Sequence, residues 1–310
     1  MQPTVVSNVV GLTARMVGPN TPNLQRLVAR GGMRVLGTVT PAVTCSAQAT
    51  FLTGVLPNQH GIVGNGWYFR DLSEIWFWRQ SAALVGDEKL WDAARARHPG
   101  FTCANMFWWS NMYSGADIGV TRRLIYCADG RKLPDCCAAP AELRDELTQL
   151  LGSFRLFSFW GPATTITSSE WIARASIHVR KTRKPTLTLT YLPHLDYGLQ
   201  RVGREGPSIT TDLRAVDNVC GELIANAEQD GARIIVLRIR NHGRKSPDPY
   251  QPRATRCWAA GDSGRARPRT SRSRGVAGFR GRRPSDRACL CGQSRAHRRG
   301  EGAARKTAGG

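Results

Sequence analysis

The chain reads as an α/β protein. Apolar β-like runs alternate with amphipathic helical segments from residue 4 to residue 237, as layered α/β domains require. The 310 residues are 41% hydrophobic, enough for a substantial core, and the alternation stops abruptly at residue 238.

Thr4 to Val10 is an apolar run of buried-strand type. Thr21-Pro22-Asn23 supplies a helix start, after which Leu24, Leu27 and Val28 share one helical face. Met33 to Val39 reads as the next strand. It leads to Pro41 and to a small-residue helix, Ser46 to Thr53, closed by Gly54. Glu88 to Arg97 is an amphipathic helix, and Phe101 to Phe107 a strand running into Trp108 and Trp109. Pro140 to Leu151 is a helix with an acidic start. A helix over Ser168 to Arg180, a strand over Thr186 to Leu192 and a long helix over Ile209 to Gln229 follow, the last with Val216, Val219, Leu223 and Ile224 inward. Arg233 to Leu237 is the last strand. Two aromatic stretches, Trp67 to Trp78 and Phe154 to Trp160, show no period. Their rings either pack a loop onto the core, the commoner role, or stack on a base or sugar.

From Arg238 onward Arg, Gly, Ala, Pro and Ser dominate without sustained period, which is the composition of disorder. This stretch holds 20 Lys and Arg against four acidic residues, a net charge of +16. The first 237 residues hold 24 against 19, a net +5. Two regions follow: a partial globular domain at 1–237 and a basic low-complexity tail at 238–310. The tail predicts salt-sensitive, sequence-tolerant attraction to nucleic acid, although Tyr250, Trp258 and Phe279 are its whole stock of stacking rings. So sharp a break directly after a core strand fits a reading-frame shift near codon 238, which translation of the other two frames would test.

No basic start followed by an apolar stretch opens the chain, and no run approaches about 20 apolar residues. The expectation is a soluble, cytoplasmic protein with no membrane partner. Nine cysteines without a C-x-x-C pair predict free thiols rather than a zinc cage. Cys45, at a helix start, is either a nucleophile of lowered pKa or, more commonly for such residues, a small buried hydrophobe.

The segment Pro41 to Asp71 carries the chemistry. Thr44 stands at a helix start, where the helix dipole and unpaired backbone N–H groups favour an anionic phosphate against its hydroxyl. Taken singly, Thr44 also fits an N-cap, and Asn65, flanked by two glycines, a turn residue. Together they resemble the nucleotide pyrophosphatase/phosphodiesterase branch of the alkaline phosphatase superfamily. Its motif T-G-x-x-P-x-x-H-G-I-V-x-N reads here Thr53-Gly54-Val55-Leu56-Pro57-Asn58-Gln59-His60-Gly61-Ile62-Val63-Gly64-Asn65, with no gap back to Thr44.

The resemblance implies Thr44 as nucleophile and Asn65 as the amide facing a non-bridging phosphate oxygen. It implies two divalent metals, zinc in this superfamily, and a nucleotide or other phosphodiester small molecule as substrate. It also implies a mixed, mostly parallel sheet sandwiched by helices, alkaline-phosphatase-like but incomplete, with the nucleophile at the sheet's C-terminal edge. Asp196, in the segment Tyr191 to Tyr197, matches a metal-binding aspartate. Gln200 stands where the family has a histidine, and His194 is either its substitute or an ordinary loop histidine. The first strand ends Val9-Val10-Gly11 where the family has Asp-Gly, leaving Asn8 as a weak oxygen donor. The family's Asp-His-Gly element finds Asn241-His242-Gly243, and His297 is the remaining C-terminal histidine. The implied activity is metal-dependent hydrolysis of phosphodiester or pyrophosphate bonds. The alternatives are a catalytically dead phosphate-binding relative and a polyanion binder acting through the tail.

Overall fold

The computed structural model describes residues 1–37 and 39–239. Readings that fall on 240–310, including the disordered tail, its polyanion binding, Asn241-His242-Gly243 and His297, lie outside the described residues. The strands are β1 (Thr4–Val9), β2 (Gly66–Phe69), β3 (Glu74–Phe77), β4 (Cys103–Met106), β5 (Ile118–Tyr126), β6 (Lys132–Ala139), β7 (Leu187–Leu192) and β8 (Arg233–Leu237). The helices are α1 (Pro22–Gly31), α2 (Thr44–Thr53), α3 (Pro57–His60), α4 (Leu90–Arg97), α5 (Glu142–Leu151), α6 (Ile166–Arg183), α7 (His194–Val202) and α8 (Ile209–Gln229).

Six strands form one sheet in the order β6-β5-β4-β7-β1-β8. Every neighbouring pair is parallel except β5 with β6, so the sheet is mixed and mostly parallel, as expected. The central strand β7 is buried at all six positions, which a strand achieves when both sheet faces are covered. Parallel pairing also brings the C-terminal ends of β1, β4 and β7 to one edge of the sheet, where open α/β sheets place their chemistry.

Several elements depart from the sequence reading. Met33 to Val39 is not a strand: the described residues there have no regular structure, and Val35 is 81% exposed. A strand needs a ladder partner, and both sides of β1 are already taken by β7 and β8. The segment instead walls an apolar cavity of about 500 Å³ with Leu27, Phe51 and Leu237. The stretch Trp67 to Trp78 is ordered after all, as the antiparallel hairpin β2–β3, with Trp67, Phe69 and Trp76 in ring contact at 5.0 Å. Phe154, Leu156 and Phe159 are core residues: Phe154 lies 4.7 Å from Phe107 and 5.1 Å from Trp171 between ring centroids. Strands β5 and β6 and helix α7 were not expected.

Helix α1 begins where expected, but Thr21 does not cap it. Its hydroxyl serves the preceding turn, and the first N–H groups of α1 are taken by Asp217 of α8, with Asn23 N at 3.0 Å and Leu24 N at 2.9 Å. A carboxylate 1% exposed is thereby satisfied by a helix N-terminus, and α1 is fixed to α8. At the other end of the sheet β8 pairs with β1 alone among the described residues, and Ile235 stays 39% exposed.

Candidate active site

Helix α2 starts at Thr44, with Val43 in the capping position and no side-chain cap. Thr44 is therefore the first helical residue rather than the N-cap, and its hydroxyl is not consumed by capping. The second residue, Cys45, donates its backbone N–H to Asn65 Oδ1 at 3.0 Å. Asn65 thus supplies the missing cap from 20 residues further along the chain, and this bond orients its side chain with the Nδ2 donor left over.

The intervening motif is a brace for that contact. Gly54 closes α2 with φ 75°, Pro57 opens α3 and Gly61 closes it with φ 79°. His60 is fully buried between them: Nδ1 accepts from Ile62 N at 3.1 Å, so Nε2 carries the proton and donates to Thr50 Oγ1 at 2.9 Å. Burial, the dominant cause, holds the His60 pKa below its usual value. Hairpin β2–β3 fixes the far side, Trp78 N donating to Asn65 O at 2.8 Å. A Cβ at Gly66 would lie 2.3 Å from the exposed Phe77 ring, so any larger residue there would have to displace that ring.

Two phenols, a guanidinium and a thiol are added by the sheet and its helices: Tyr191 from β7, Arg122 from β5, Tyr197 from α7 and Cys45 from α2. Tyr191, at the end of β7, is a buried phenol, and burial raises its pKa far above the ordinary phenol value. Tyr197 is pushed up to about 12, first by burial and then by Asp196. Arg122 projects from β5 two residues beyond Val120, the last residue that β5 pairs with β4. Its guanidinium lies 4.3 Å from the Trp109 ring centroid and 4.1 Å from that of Trp160. The Cys45 thiol is pushed up to about 12 by burial, so the nucleophile reading of Cys45 gives way to the buried-hydrophobe one.

The predicted metal ligands are separated from one another in their bonding. His194 is not on a loop but opens α7, buried, with Nε2 3.3 Å from Asp212 Oδ1 of α8. Its pKa is lowered chiefly by burial, which outweighs the raising effect of Asp212. Asp196 Oδ2 accepts from Gln200 Nε2 at 2.7 Å. Asn8 is fully buried, and its Oδ1 accepts from Gln48 Nε2 at 2.8 Å. Val10 is buried in the apolar core. Among the described residues no three His, Cys, Asp or Glu side chains converge on a point. A two-metal centre needs several anionic or imidazole donors, and this set, with a valine, an engaged amide and a glutamine in the key places, does not fit one.

Sequence reasoning located Thr44 and Asn65 but missed Arg122 and the Asn8–Gln48 pair. Arginine inside the otherwise largely apolar run Ile118 to Tyr126 was the available sign of the former. A mostly parallel α/β sheet with a helix-start hydroxyl at its C-terminal edge defines the class of protein. The chain belongs to the type I phosphodiesterase / nucleotide pyrophosphatase family, whose profile matches residues 4–237. By descent it is a hydrolase of that type, from a family that is in general metal-dependent and takes phosphodiester or nucleotide substrates. No curated protein matches the chain. No helix among the described residues is long and apolar enough to cross a membrane.

Proposed function

We propose that residues 4–237 recognise the phosphoryl group of a phosphodiester or pyrophosphate, with Thr44 as the attacking hydroxyl and Asn65 Nδ2 as donor to a non-bridging oxygen. The observation that carries this reading is the 3.0 Å bond between Cys45 N and Asn65 Oδ1, which sets an amide donor beside the first residue of α2. In the attack Thr44 Oγ1 bonds to phosphorus as the bond to the leaving-group oxygen breaks, and the hydroxyl proton passes to that departing oxygen through solvent. Water then cleaves the phospho-threonine. Tyr191 is neutral at physiological pH and therefore is not a base for this step.

A second reading, retention of phosphate binding with loss of turnover, is favoured by Val10, Asn8 and Gln200 in the places of metal ligands. Hydrolysis of an aryl phosphodiester by the purified chain separates the two, measured with added zinc, with chelator and with Thr44→Ala. Turnover that disappears in Thr44→Ala supports the hydrolase. Flat traces from folded protein that still binds phosphate support the binding relative, and turnover unchanged in Thr44→Ala would refute Thr44 as nucleophile.

A further inference from the structure

Arg122 is a half-buried cation without an anion, its Nε fully shielded from solvent. Its Nε has no hydrogen-bond partner, and no carboxylate of the described residues pairs with it. The groups whose charge would reach it are Tyr191, Tyr197 and Cys45. Phenols and thiols are uncharged at neutral pH, so none of the three neutralises it. Desolvation lowers the pKa of Arg122 to about 10, which still leaves it charged at pH 7. A buried charge without a counterion is costly, and proteins retain one where a ligand supplies the missing charge.

The surroundings say which ligand. Trp109, over which the guanidinium lies, packs with Cys45, the residue after Thr44, and donates its backbone N–H to Gln48 of the same helix at 2.8 Å. Trp109 and Trp160 hold the guanidinium between their faces at 4.3 Å and 4.1 Å, which fixes its plane and leaves its edge as the binding surface. That edge carries paired N–H donors, the geometry that grips two oxygens of one phosphoryl group. Where the metal donors are depleted, a fixed guanidinium supplies positive charge that requires no metal.

We propose that Arg122 is the anion-binding residue of this site, gripping the non-bridging oxygens of a phosphoryl group whose other side faces Asn65. The inference rests on Thr44 and Asn65 forming the phosphoryl site, but it does not require turnover.

The test is titration of the intact chain with inorganic phosphate, followed by tryptophan fluorescence and by calorimetry, for wild type, Arg122→Met, Arg122→Lys and Thr44→Ala. Wild type is expected to bind saturably with a change in tryptophan emission, because Trp109 and Trp160 flank the guanidinium. Arg122→Met is expected to lose about tenfold or more in affinity and to melt no lower than wild type, since it removes an uncompensated half-buried charge. Arg122→Lys keeps the charge but not the paired donors and is expected to fall between them. Thr44→Ala is expected to bind phosphate; Arg122-dependent binding by a wild-type chain that hydrolyses no phosphodiester would support this inference while refuting the turnover reading. Equal affinity in wild type and a folded Arg122→Met, or no saturable binding by wild type, would overturn it.

Discussion

Gln48 and Asn8 form a fully buried side-chain pair, Gln48 Nε2 donating to Asn8 Oδ1 at 2.8 Å. Gln48 Oε1 also accepts from Trp109 N at 2.8 Å. One amide on α2 therefore holds the end of β1 and the chain leaving β4, the two elements that border Thr44 and Arg122. Gln48→Leu fits the space but orphans Asn8 Oδ1 and Trp109 N together. The expected loss is about 2–6 kcal/mol in urea denaturation, at about 1–3 kcal/mol for each unpaired group. A loss under about 0.5 kcal/mol would show that the pair does not anchor the site.

Asn65 separates two roles within one side chain. Asn65→Asp retains an oxygen for Cys45 N and should melt near wild type, but it replaces the Nδ2 donor with an anion facing the phosphoryl group. Hydrolysis, where wild type shows it, is expected to fall by roughly 10²–10³, the usual effect of losing one such donor. Phosphate affinity should fall with it, and an Asn65→Asp variant that binds phosphate as wild type does would remove Asn65 from the site.

Gly11 sits at φ +82° directly behind Asp196, and a Cβ there would lie 2.7 Å from Leu199 Cδ1 and 3.2 Å from the Asp196 backbone. Gly11→Ala combines a backbone conformation unfavourable to L-residues with a clash against the start of α7. A destabilisation of about 1–3 kcal/mol by thermal or urea melting is expected.

His60 and His194 give the fold an acid limit. Both have folded pKa values lowered mainly by burial, so the unfolded chain, with histidines near 6.5, binds more protons. Their contribution is fully present above about pH 6.5 and is lost as pH falls toward the folded values. For His60 the reason is geometric: protonating Nδ1 destroys its bond from Ile62 N. Melting temperature measured from pH 8 to pH 5 should fall, and His60→Gln should flatten the slope. An unchanged slope in that variant would place the acid sensitivity elsewhere.

Burial also orders the thiols. Cys103 and Cys220, like Cys45, are buried and pushed up to about 12, whereas Cys127 is partly exposed in the β5–β6 turn. Iodoacetamide at pH 8 is expected to label Cys127 before the four buried thiols Cys45, Cys103, Cys136 and Cys220, which react only after denaturation, read by peptide mass spectrometry. Early labelling of Cys45 would mean that the start of α2 opens in solution.

The sequence by itself determined the elements whose own periodicity commits them. These are β1, β4, β7 and β8, α1 and α2, and the 21-residue α8 with its inward Val216, Val219, Leu223 and Ile224. It also placed Thr44 at a helix start and Asn65 at the end of a gapless motif. Tertiary structure decided what depends on a partner far along the chain. Met33 to Val39 has the composition of a strand but joins no ladder, and its described residues wall an apolar cavity instead. Strand β6 tolerates Pro134 because it is the sheet edge, and its partner β5 is recognisable only in retrospect by the Asp129-Gly130 turn. The caps of α1 and α2 come from Asp217 and Asn65, 194 and 20 residues away. Arg122 shows the same dependence: an arginine in a largely apolar run is silent until folding brings two tryptophans around it and no carboxylate of the described residues into a pair with it. Periodicity is a local property of the chain, whereas the pairing of charges and hydrogen bonds is settled by which distant residues the sheet edge brings together.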